Sequence, residues 1–111
     1  MRLGMGVPKG STDVRRETRI PMEVGVHISG HAKFPEGEAT FTENVSSCGA
    51  RVLSTRRWKT DDQLTIRTMA GSFRATARVA YCQSVPGIGF AVGVEFREPL
   101  GHWFVAGGSL Q

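Results

Sequence analysis

Three guanidiniums fall within one short run, Arg15-Arg16-Glu17-Thr18-Arg19, and a second polar cluster, Asn44-Val45-Ser46-Ser47-Cys48-Gly49, follows further along the chain. Arginine presents a planar fork of donors that grips phosphate oxygens, or the O6 and N7 acceptors of guanine, two at a time. Asparagine both donates and accepts, and a serine hydroxyl does either. Glycine has no Cβ to hold a ligand away from the backbone. Brought to one place, the two clusters suit an anionic ligand with many hydrogen-bonding edges. Alone, the second cluster reads as a connection between strands, because Asn, Ser and Gly all favour turns. Arg74 and Arg78 repeat the i, i+4 spacing of Arg15 and Arg19, but inside an alternating pattern that puts them on one solvated face. Arg15 and Arg19 instead sit with Arg16 at a junction where a ligand could order them.

Other chemistries find little support. His27, His31 and His102 have no metal-ligand spacing with Cys48 and Cys82. There is no Gly-x-Ser-x-Gly elbow, no phosphate-loop lysine motif and no acid–base pair, so neither an enzyme nor a bound cofactor is expected. The run Arg56-Arg57-Trp58-Lys59 could be a basic-aromatic patch for single-stranded nucleic acid. Aromatic residues are only 8% of the chain, mostly at core-phase positions. The expectation is therefore that Trp58 covers one end of the fold, that the cations are solvated, and that nucleic acid is not the partner.

The elements that must carry these residues are strands. Met22, Val24, Val26 and Ile28 alternate with polar or small residues, the signature of a half-buried strand. Gly30 to Gly37 is a turn. Ala39 and Phe41 alternate from Glu38 to Glu43, and Ala50 to Leu53 forms a third strand after the Asn44–Gly49 turn. Ser54 to Asp62 is a polar loop. Leu64, Ile66 and Met69 mark a fourth strand, and Ala70-Gly71 a hairpin turn. Phe73, Ala75, Ala77, Val79 and Tyr81 share the inward phase of a fifth, and Phe90, Val92, Val94 and Phe96 that of a sixth after Pro86-Gly87. Six short strands joined by Gly and Pro turns predict an antiparallel barrel or sandwich. Residues 1–13, rich in glycine, read as a flexible N-terminal arm, 14–105 as the barrel domain, and 106–111 as a short C-terminal tail.

The chain has 111 residues, enough for one core. Its formal charge of +4 rests on eleven Arg against three Lys and favours an anionic partner. Two cysteines do not make a disulfide framework, and both are expected to be reduced. No apolar run is long enough for a membrane span, and no continuous apolar stretch follows Arg2 as a secretory signal would require, so the cytoplasm is the expected location.

Arg15-x-x-x-Arg19 followed by Asn44-x-Ser46-x-x-Gly49 resembles the PilZ domain pattern, RxxxR then (D/N)xSxxG. Gly93-Val94-Glu95-Phe96 is similar to that family's Gly-Val-x-Phe ending, and Tyr81 stands where the family often has an aromatic residue. The likeness runs from about Arg15 to Phe96. It implies a bacterial, six-stranded antiparallel PilZ-type β-barrel that binds the second messenger cyclic di-GMP and acts without catalysis. It also implies the ligand contacts: Arg15, Arg19 and Arg16 on phosphate or guanine, Asn44 and Ser46 on base edges, and Gly49 for close approach. The implied output is a conformational change of the N-terminal arm that is passed to a protein partner. The alternative is a PilZ-like protein-interaction module that does not bind the nucleotide. Two features depart from the pattern: Val14 supplies no further guanidinium before the pair, and fifteen residues after Phe96 leave little room for the C-terminal helix of many members.

Overall fold

A computed structural model describes residues 19–101. Arg15, Arg16, the expected arm, the tail and His102 lie outside the described residues. Seven strands occur: β1 (Ile20–Pro21), β2 (Gly25–Ser29), β3 (Glu38–Val45), β4 (Gly49–Ser54), β5 (Gln63–Thr68), β6 (Phe73–Val85) and β7 (Gly89–Gly101). Their order is β1-β3-β2-β5-β6-β7-β4, all antiparallel, and β4 also pairs with β3. That last pairing closes β2 to β7 into the expected six-stranded antiparallel barrel, with β1 as an added piece. No helix occurs among the described residues, so none is long and apolar enough to cross a membrane.

Alternation fills the barrel. Val26, Ile28, Val45, Val52, Leu64, Ile66, Ala75, Ala77, Val79, Val92 and Val94 are buried from successive strands, with Trp58 and Phe73 closing gaps. Each fully buried Val or Ile contributes about 1.5–3 kcal/mol over its exposed state. This inward face is thus the main driving force of the fold.

The first strand differs from its sequence reading. The expected strand from Met22 to Ile28 is broken: β1 pairs Ile20 with Val45, β2 pairs Gly25 with Phe41, and the register slips by one residue between them. Met22 and Val24 are half-buried rather than core. Thr42 holds the break together. Its hydroxyl donates to the Met22 carbonyl at 2.7 Å and accepts from the Val24 N–H at 3.0 Å. Periodicity cannot show this, because a buried threonine in a strand looks like any β-branched residue.

Two further corrections concern phase. Met69 lies beyond β5 and is 53% exposed, not an inward strand residue. A bulge between Val79 and Tyr81 leaves Ala80 unpaired, and an extra residue reverses every later side chain. Tyr81 therefore points outward, and Cys82 packs against the core instead.

Replacing Thr42 by valine keeps the shape but strands the Met22 carbonyl and the Val24 N–H. The expected cost is about 1–3 kcal/mol. Thermal unfolding should shift down by roughly 4–8 °C per kcal/mol in a domain near this size. An unchanged melting temperature for Thr42→Val would mean that something else holds the break.

Candidate functional site

The polar turn is shorter than its motif. Asn44 and Val45 belong to β3 and Gly49 to β4, leaving Ser46-Ser47-Cys48 as the reversal. Ser46 is fully buried. Its backbone N–H donates to the Gly49 carbonyl at 2.8 Å, and its hydroxyl accepts from the N–H groups of Cys48 at 3.2 Å and Gly49 at 3.1 Å. A serine here satisfies turn donors that would otherwise be buried without partners.

Gly49 serves closure of the barrel. A Cβ at this position would run into the Val94 carbonyl of β7. β7 pairs with the turn immediately beyond, where the Phe96 N–H donates to the Cys48 carbonyl at 2.8 Å. Ser46 and Gly49 thus have folding roles that stand whether or not a ligand is bound.

The two motif halves meet. Arg19, just before β1, donates from Nη1 to Oδ1 of Asn44 at 3.0 Å. The pairing of β1 with the end of β3 delivers it there, with Pro21 opposite Asn44. Arg19 also lines a cleft of about 270 Å³ with Cys48, Tyr81, Gly93 and Glu95.

An outward-facing network lies beside this cleft, and the sequence reading did not include it in the site. Arg51 on β4 donates from Nε to Glu43 at 2.6 Å, and from Nη1 to the Tyr81 hydroxyl at 3.0 Å and to Gln83 at 3.2 Å. The guanidinium pKa is raised above its ordinary value, first by the Glu43 hydrogen bond and then by that of Tyr81. Its charge is therefore permanent at any physiological pH. A half-exposed ion pair such as Arg51–Glu43 contributes about 0–1 kcal/mol, so its main effect is to orient Tyr81. The Tyr81 ring lies over Gly93, where any Cβ would strike it. A glycine inside a strand signals such a close approach, so Gly93 was the available clue.

Glu95 is the carboxylate of the cleft. It accepts from Arg78 Nη2 at 2.9 Å, and Arg78 also reaches Asp61 at 2.6 Å. The Arg78 pKa is raised by the hydrogen bond to Glu95, then by that to Asp61. The Arg74–Arg78 face is indeed on the surface, but Arg78 is paired rather than simply solvated. The cleft therefore offers a guanidinium, a phenol ring and a carboxylate, with the Asn44 amide hydrogen-bonded to that guanidinium. That set can hold an anion and read a polar ring edge. Among the described residues no group of three or more His, Cys, Asp or Glu is placed to hold a metal ion, and both cysteines are free thiols.

No family model matches the chain, and no curated protein matches it. Among solved structures, the fold is similar to that of the Bacillus subtilis inhibitor of motility MotI/DgrA. The TM-score is 0.64 at 17% identity, over 78% of this chain and 43% of that one. The chain thus spans less than half the length of that structure, and the likeness is one of fold.

Two glycine variants separate closure from site. Gly49→Ala drives a Cβ into backbone and should destabilise the barrel by about 1–3 kcal/mol or more, read by thermal melting. Gly93→Ala meets only a surface ring, so stability should fall by less while the Tyr81 ring resonances shift. Equal losses of stability in the two variants would contradict this division.

Proposed function

We propose that this chain is a non-catalytic receptor for cyclic di-GMP, bound at the Arg19–Asn44 cleft and acting through a protein partner. The observation that carries the reading is the 3.0 Å hydrogen bond from Arg19 to Asn44, which joins the two halves of the PilZ-like motif beside the Tyr81 ring. The shared barrel of MotI/DgrA, an inhibitor of motility by its name, is consistent with a regulatory role.

The chemistry follows from the side chains. Cyclic di-GMP has two phosphates and two guanines. Arg19 can exchange its Asn44 partner for phosphate or for guanine O6 and N7, and the freed Asn44 amide can pair with a base edge. Tyr81 offers a ring for stacking. The cleft of about 270 Å³ is below the roughly 300–1,000 Å³ that encloses a drug-sized ligand, so further walls are needed. Arg16 and Arg15 can supply them. At no more than about 3.6 Å per residue, their Cα atoms lie within about 11 and 14 Å of that of Arg19. Closure of the arm over the ligand would then change the surface seen by the partner.

A second reading has its own observation. Because Ser46 and Gly49 are required by the turn and by β4–β7 closure, their part of the motif would persist in an interaction module that no longer binds nucleotide.

Calorimetric titration with cyclic di-GMP, with GTP and cyclic di-AMP as controls, decides between them. Selective binding is expected, weakened by about 10- to 100-fold in Arg19→Ala, equivalent to about 1.5–3 kcal/mol. Asn44→Ala should also bind more weakly while its melting temperature stays near that of the parent. Absence of heat and of a thermal shift would favour the interaction module, and an unaltered dissociation constant for Arg19→Ala would remove Arg19 from the site.

A further inference from the structure

At the opposite ends of β3 and β4 from the Arg19 cleft lies a larger groove of about 480 Å³, between the hairpin Gly30–Phe34 and the loop after β4. We propose that this groove docks an acidic segment of a protein partner that carries an apolar anchor residue. The inference is independent of the nucleotide reading, since none of its residues belongs to that site.

The first argument is charge. Lys33, Arg57 and Lys59 line the groove, and Arg56 lies just behind it. None of the four has a carboxylate partner among the described residues. The single acid in the wall, Asp62, is occupied in accepting the Lys59 backbone N–H at 2.8 Å. Glu38, behind the groove, is held by Ser54 and Thr55, and Glu36 lies exposed in the hairpin turn. The excess is therefore positive, and the complementary surface is acidic.

The second argument is shape. The His31 Nε2–H donates to the Arg57 carbonyl at 2.9 Å and its Nδ1 accepts from the Lys33 N–H at 3.1 Å, tying hairpin to loop. The His31 ring sits edge-on to Phe34 at 5.0 Å and to Trp58 at 4.8 Å. A groove braced in this way is preorganised and loses little entropy on binding.

The third argument chooses the class of partner. Binding single-stranded nucleic acid needs aromatic faces open for base stacking. Here Trp58 is buried, and the guanidinium of Arg56 covers Phe34 with its Cζ 3.5 Å from the ring centroid. Arg57 similarly lies 4.8 Å from the Phe90 ring centroid. The aromatic faces are taken, while cationic heads over an apolar wall remain. That combination fits a peptide with alternating acidic and apolar side chains.

The test is selection from a random-peptide library on the full chain, with counter-selection on the double variant Arg57→Glu, Lys59→Glu. Acidic peptides with a Leu or Phe anchor should be enriched, shift amide resonances of residues 30–34 and 57–63, and weaken by on the order of tenfold in the double variant. A melting temperature near the parent's shows that the double variant is folded, and Lys33→Glu provides a second reversal on the other wall. The proposal is overturned if selection yields no peptide, if the enriched peptides lack acidic residues, or if binding is unchanged by both reversals. It is equally overturned if poly-U RNA binds the groove and the peptides do not.

Discussion

Everything in this barrel depends on how closely β4 and β7 approach at Gly49. The Val94 carbonyl occupies the space of a side chain there, and six ladder pairs from Gly49–Glu95 to Ser54–Phe90 follow from that contact. The buried Ser46 hydroxyl keeps the preceding turn tight enough to reach it. Without this approach the sheet would stay open between β4 and β7, leaving two unpaired edges and an exposed core. Hydrophobic burial drives the collapse, but the turn and the missing Cβ determine which strands meet.

The same closure builds the cleft. Because β4 and β7 are adjacent, Arg51 and Gly93 are directly opposite in the ladder, and Tyr81 can lie over the glycine and reach the guanidinium from β6. The bulge at Ala80 turns Tyr81 outward to do so. The cleft lies on the outside of a closed barrel, so the side chains that line it are largely different from those that pack the interior. Ser46 and Gly49 belong to the motif and to the closure alike.

The two ends of β3 and β4 carry different chemistry. One end has Arg19, hydrogen-bonded to Asn44, and Tyr81 at a small polar cleft. The other has a braced hairpin and, around a larger, mainly apolar groove, cations with no carboxylate partner among the described residues. A short barrel with a rigid core can present both surfaces at once.

The six barrel strands, most of their positions and the inward residues of β4, β5 and most of β6 and β7 were legible in the sequence, because a half-buried sheet imposes a period of two on polarity; β1 was not, and β3 buries Thr42 and Val45 rather than Ala39. The motif also marked Arg19 and Asn44 as side chains that could converge on one ligand; the hydrogen bond that joins them to each other is a finding of the structure. What tertiary structure alone decided are the features in which one strand answers another. Thr42 bridges a broken neighbour, an extra residue at Ala80 reverses the phase of Tyr81, and Gly49 and Gly93 are small because a carbonyl and a ring lie against them. Trp58 was expected to cover one end and is buried, whereas Arg56 was expected to be solvated and is stacked on Phe34. Local periodicity reports which face a residue would take in a regular strand. It carries no information about a register shift or a close approach, because both are set by residues distant in the chain.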